Sequence, residues 1–175
     1  MGSPQGRRSP RRPGRANSDA ERRALAKASG RRKGPPPRAP RPGFALLATD
    51  GGSRGNPGPA AIGYVLDAAD GRRLAAHGEA IGVAGANVAE YRALLAGLEH
   101  ARGLGLDRVE ARCDARLIVE QLTGRRETAN PRLRGLADAV RDVAERIGTV
   151  AFTWVPAEAN GRAHALVAEA LAPRP

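Results

Sequence analysis

The chain has 175 residues, 41% hydrophobic and 3% aromatic, which suits one domain with a core of Ala, Val, Leu and Ile plus an added segment. A single cysteine, Cys113, excludes an internal disulfide and a multi-cysteine zinc site, and fits a reducing, cytoplasmic setting. No apolar run approaches the roughly 20 residues of a membrane span, and the net charge of +11 lies wholly in residues 1–43, which hold 13 of the 29 Lys+Arg and 2 of the 18 Asp+Glu.

Residues 1–43 read as a disordered basic tail. Arg7-Arg8, Arg11-Arg12, Arg22-Arg23 and Arg31-Arg32-Lys33 are separated by Pro, Gly and Ser, and Pro35-Pro36-Pro37 and Pro40-Arg41-Pro42 close the segment. Such a stretch buries too little apolar area to offset its ordering entropy. Only Ser18 to Ser29 offers a short helix, with Ser18 at the cap and Glu21 at the capping-box position. The tail has no apolar run of the secretory-signal kind. Two explanations stand open: a tether that neutralises nucleic-acid phosphates, or a passive extension.

From Phe44 the pattern changes. Residues 44–50 form an apolar run ending in an aspartate and predict a strand, and Gly51-Gly52-Ser53-Arg54-Gly55-Asn56-Pro57-Gly58 predicts a glycine loop. Ala60 to Asp67 predict a second strand, Ala69-Asp70-Gly71 a turn, and Arg72 to Ile81 a third strand. Asn87 to Arg102 predict a helix, because Val88, Tyr91, Leu94, Leu95 and Leu98 share one face; Gly103 and Gly105 end it. Val109 to Cys113 predict a strand and Asp114 to Leu122 a helix. Asn130-Pro131 opens a helix to Ile147, Thr149 to Val155 alternate as a strand, and Asn160 caps a last helix to Leu171. The order is β-β-β-α-β-α-α-β-α, an α/β class with a mixed sheet and helices packed on it. The folded domain spans residues 44–173.

Four polar side chains stand where elements end or begin: Asp50, Glu90, Asp114 and His164. Carboxylates gathered at strand ends and helix starts repel each other unless a cation neutralises them. Oxygen donors suit Mg2+ or Mn2+, and two such ions roughly 4 Å apart would serve an in-line phosphoryl displacement. Glycines beside Asp50 leave bare backbone for a bulky partner. The competing reading is a plain hairpin turn at Asp50-Gly51.

Asp50-Gly51-Gly52-Ser53 with Asn56-Pro57-Gly58 resembles the opening motif of the type 1 ribonucleases H. Asn87-Val88-Ala89-Glu90-Tyr91, Arg112-Cys113-Asp114 and Trp154-Val155-Pro156 with Asn160-x-Arg162-Ala163 resemble its later motifs, in the same order. The resemblance covers Phe44 to Leu171 and is nearest to the compact bacterial and archaeal branch. It implies a ribonuclease H-like fold with a five-stranded mixed sheet. It also implies endonucleolytic cleavage of the RNA strand of RNA–DNA hybrids by two-metal-ion hydrolysis. Asp50, Glu90 and Asp114 would hold the metal. Gly51 and Gly52 backbone, Asn56 and Asn87 would read the RNA strand and minor groove, where the 2′-OH marks RNA. The expected state is a monomer bound to hybrid, with no membrane association.

One position departs from the family. Its fourth carboxylate is His164 here, and Val167 stands where an asparagine is usual. Imidazole is neutral and softer than carboxylate, so Mn2+ is favoured relative to Mg2+. His164 either ligates metal or positions water, or merely fills an eroded site. Glu169 is placed too far round the helix to substitute. A nucleic-acid-binding protein with a weakened nuclease site is therefore the alternative reading. Arg54, Arg116, Arg125 and Arg126 are phosphate contacts or solvated surface groups. Trp154 packs in the core or stacks on substrate. His77 is expected to face solvent and His100 to sit near a helix end.

Overall fold

A computed structural model describes residues 38–173. In chain order these form β1 (Ala45–Ser53), β2 (Gly58–Asp67), β3 (Arg73–Ala84), α1 (Ala86–Gly103), β4 (Arg108–Cys113), α2 (Arg116–Leu122), α3 (Pro131–Ile147), β5 (Thr149–Trp154), a 3-10 turn at Ala157–Ala159 and α4 (Gly161–Ala170). The sheet order is β3-β2-β1-β4-β5. β1 pairs antiparallel with β2, and β2 with β3, through short turns. β1 pairs parallel with β4, and β4 with β5, each needing a helical crossover. The predicted five-stranded mixed sheet and element order are those observed.

Helices cover both faces of the sheet. On one face α1 and α3 bury Tyr91, Leu94, Leu98, Val140 and Val143 against Leu47, Leu66 and Val109. On the other, α4 lies across β1, β2 and β3. Glycines make that seat: a Cβ on Gly63 would stand 2.8 Å from the Ala163 carbonyl oxygen, and one on Gly78 2.7 Å from that of Leu166. Arg162, in the first turn of α4, reaches the buried Asp67 at 2.7 Å, and Arg73 holds the other oxygen of Asp67.

β1 does not stop at Asp50. It continues through Gly51 and Gly52 to Ser53, which pairs with Ala60. The turn is Arg54 to Pro57, closed by the Arg54 N–H donating to the Pro59 carbonyl at 2.8 Å. The Asp50-Gly51 hairpin reading is thereby corrected, and the physical reason is packing. A Cβ on Gly51 would collide with the backbone of Ala89 and Glu90 on α1, while one on Gly52 would meet Val167 of α4 at 3.2 Å. These glycines admit helices from opposite faces.

Two boundaries also differ. β3 runs past Ile81 to Ala84, crossing Gly82 at φ +79. α2 starts at Arg116, so Asp114 and Ala115 belong to the connection after β4. Asn130 caps α3 as predicted, accepting from the N–H groups of Arg132 and Leu133. Asn160 stands at the start of α4 but its side chain makes no cap.

Residues 1–37, including the short helix expected at Ser18 to Ser29, lie outside the described residues. Residues 38–43 run beside β4. The Arg41 N–H donates to Glu110 Oε2 at 2.9 Å, and Arg112 Nη2 donates to the Arg38 carbonyl at 2.7 Å. Glu110 and Arg112 are themselves an ion pair and are buried. Among the described residues no helix is long and apolar enough to cross a membrane.

Candidate active site

Asp50 lies within β1, beside the paired neighbour strands β2 and β4. Glu90 lies near the start of α1, which the glycine at position 51 lets close on β1. Asp114 follows the last residue of β4, and His164 stands in the first turn of α4. Four segments distant in sequence therefore deliver one polar group each.

Asp50, Asp114 and His164 each offer a ligating atom within 4.8 Å of the others. His164 Nε2 is 3.0 Å from Asp114 Oδ2 and 3.5 Å from Asp50 Oδ1. Glu90 stands alongside rather than in that trio; its Oε2 accepts a weak hydrogen bond from the Cys113 thiol at 3.8 Å. The Gly51 amide N–H faces both the Asp50 and Glu90 carboxylates and favours their charged forms. Burial opposes this. It pushes the Glu90 carboxyl up to about 9, with the charges of Asp50 and Asp114 adding to the shift. Burial also raises Asp50, with His164 pulling it back down and Asp114 pushing it up.

That electrostatic state tests the fit to a cation. Three carboxylates share a largely dry corner, where burial and mutual repulsion disfavour their charged forms unless a cation neutralises them. A divalent ion would supply the missing positive charge to hard oxygen donors and one imidazole. The residues present fit such an ion.

Asp114 is held on every side. Its Oδ1 accepts from Asn160 Nδ2 at 3.1 Å and its backbone carbonyl from Trp154 Nε1 at 3.1 Å. Asn160 Nδ2 also donates to the Thr49 carbonyl at 2.8 Å. Trp154 thus supports Asp114 from the end of β5, with Arg116 over its ring at 5.9 Å. Sequence reading took Asn160 for a helix cap and missed this contact. Its Asn-before-helix signal is the same for both roles.

The expected substrate groups fall in two places. Gly51 is buried under α1, so the open backbone expected there is occupied by a helix. Gly52 is half-buried against Val167. Asn56 is exposed, and its Oδ1 accepts from the Ala86 N–H at 3.3 Å, which brings it next to the exposed Asn87. Arg116 and Arg126 both pair with Glu120, and Arg54 and Arg125 are exposed. His77 is exposed and His100 half-buried; both gather around Tyr64, whose hydroxyl meets His100 Nδ1 at 2.8 Å. Glu169 is exposed on α4, away from the trio.

A mixed five-stranded sheet with one carboxylate on β1 and another just past the end of the adjacent β4, closed by a C-terminal helix, defines a protein of the ribonuclease H-like class. The family model described as reverse transcriptase-like matches residues 48–170. Ribonuclease HI of Halobacterium salinarum is 47% identical over 70% of this chain and 61% of its own length. The crystal structure of RNase H1 from that archaeon aligns with TM-score 0.71 and 45% identity, covering 74% of this chain and 98% of the other. The N-terminal RNase H domain of the bifunctional protein Rv2228c of Mycobacterium tuberculosis aligns with TM-score 0.71 and 40% identity, over 73% of this chain and 93% of that one. A further RNase H1, isolated from compost and solved in complex with an RNA/DNA hybrid, aligns with TM-score 0.69 and 38% identity over 73% of this chain and 96% of that one. The chain belongs to the type 1 ribonuclease H family. It spans 61% of the length of the Halobacterium protein and 35% of the mycobacterial one.

Proposed function

We propose that the chain is an endoribonuclease that hydrolyses the RNA strand of RNA–DNA hybrids. The observation that carries this is the convergence of Asp50, Asp114 and His164 within 4.8 Å, with Glu90 behind them. Asp50, Glu90, Asp114 and His164 would hold divalent cations, which when bound activate water and stabilise the leaving oxygen of a phosphodiester. Asp50 lies within ligating reach of Asp114 and His164, and its charge bears on Glu90. His164 supplies a neutral donor where the family has a carboxylate, which supports relative preference for Mn2+ over Mg2+. Asn56 and Asn87, exposed side by side at the start of α1, suit contacts to the hybrid's minor groove. The basic residues 1–37 would add phosphate contacts. The hybrid bound by the compost relative supports the substrate assignment.

His164 favours one other reading, a hybrid-binding protein whose cleavage is weak. A labelled RNA–DNA hybrid incubated with Mg2+ and with Mn2+, with Asp50→Asn as blank, separates the two. RNA-strand cleavage that the blank lacks supports the nuclease. Tight hybrid binding without cleavage in either metal overturns it in favour of the binding protein.

A further inference from the structure

We infer that Asn160 is a positioning residue for Asp114, and that it sets how well the site takes up a divalent cation. The inference rests on the nuclease reading above. It starts from burial: Asn160 is 2% exposed, and its side chain spends both amide hydrogens away from its own helix. One goes to the Thr49 carbonyl at 2.8 Å and one to Asp114 Oδ1 at 3.1 Å.

Asp114 needs such a partner more than the other carboxylates do. Asp50 is part of a paired strand and Glu90 part of an 18-residue helix, so their backbones are fixed by regular structure. Asp114 lies in the short connection between β4 and α2, where no strand or helix holds it. Its carboxylate is oriented from one side by Asn160 and from the other by His164. The imidazole is itself placed to bind a cation and would turn toward it; Asn160 has no such second task.

The amide orientation is determined by chemistry. Turning it over would set Asn160 Oδ1 against two acceptors, the Thr49 carbonyl and the Asp114 carboxylate. As it stands, Oδ1 is buried with no partner among the described residues. An unpaired buried acceptor is costly, and the site retains it. The donor end of the side chain therefore outweighs the acceptor end. What the two donated bonds achieve is a rigid link between β1, the end of β4 and the start of α4, the three elements that carry Asp50, Asp114 and His164.

The test uses the full chain and two variants. Asn160→Ala removes the donor, and Asn160→Asp keeps the side-chain volume but replaces the donor with an acceptor. Two readouts are taken: the Mn2+ concentration that half-saturates the protein in a calorimetric titration, and kcat and KM on labelled hybrid. Both variants are expected to raise the half-saturating Mn2+ concentration about tenfold or more and to lower kcat to a similar degree. KM for the hybrid should stay within about twofold. Val143→Ala, which opens a cavity between α1 and α3, controls for lost stability alone; its Mn2+ half-saturation should match the wild type. A folded Asn160 variant with wild-type half-saturation overturns the inference, as does an equal shift in Val143→Ala. Absence of both cleavage and calorimetric Mn2+ binding in the wild type would instead sink the nuclease reading, and the inference with it.

Discussion

His164 Nε2 meets Asp114 Oδ2 at 3.0 Å and Asp50 Oδ1 at 3.5 Å, so one imidazole faces two carboxylates across the site. In the cation-free protein that contact lessens their mutual repulsion. Replacing it by a carboxylate removes the relief and adds a third like charge. His164→Asp should therefore lower Tm in chelator and enlarge the rise in Tm on adding Mg2+. Its Mg2+ rate should climb relative to its Mn2+ rate. An unchanged Mg2+ to Mn2+ rate ratio would take His164 out of the cation shell.

Glu90 carries a pH prediction. Its folded value of about 9 lies above the ordinary 4.5, so the folded state keeps a proton that the unfolded chain releases. Stability of the cation-free protein then falls as pH climbs from 4.5 towards 9. Glu90→Gln keeps the shape and removes the titration. At pH near 8 in chelator it should melt higher than wild type by roughly 5 °C, and the gap should close in acid, below the ordinary glutamate value. Hybrid cleavage should be lost. A Tm gap of the same size in acid would refute the assignment.

Gly51 predicts the reverse outcome. Any Cβ there strikes the backbone of Ala89 and Glu90, which no rotamer can relieve. Gly51→Ala should cost more than about 3 kcal/mol, read as loss of the cooperative urea transition or a large drop in its midpoint. A variant with wild-type midpoint would show that α1 can back away from β1.

Asn56 ties the β1–β2 turn to the start of α1 through one exposed hydrogen bond. Asn56→Ala should cost only about 1 kcal/mol of stability but raise KM for the hybrid several-fold if the side chain also meets the minor groove. Unchanged KM would confine Asn56 to structure.

The basic segment is best cut before Arg38, because the Arg38 carbonyl and Arg41 N–H are partners of the buried Arg112 and Glu110. Removing residues 1–37 should weaken hybrid binding at moderate salt and flatten its salt dependence, since fewer phosphates are then neutralised. Equal affinity and equal salt slope would make the segment a passive extension.

The element order was legible in the sequence, as was the meeting of Asp50, Asp114 and His164 within 4.8 Å, because hydrophobic periodicity and motif spacing are local signals. It misplaced what depends on long-range packing. Gly51-Gly52 looked like an open loop, yet β1 runs through them because α1 and α4 press on them from opposite faces. Trp154 could have faced either way until the carbonyl of Asp114 appeared beside its indole N–H. Asn160 carried a cap's signature and a different task, and only Thr49, 111 residues away, reveals it.

The seat of α4 has a further consequence. This 10-residue helix buries only Ala163 and Val167, and an isolated helix of that length is marginal in water. It nevertheless carries His164, while Asn160 stands at its start. Asp50, Glu90 and Asp114 belong to the larger body built on the α1–α3 core. On warming, α4 is the element set to lift away first, a sub-global opening visible as early amide exchange along Gly161–Ala170. Catalytic competence would then vanish while the rest of the domain is still cooperatively folded, so inactivation and melting would be two separate events on the temperature axis.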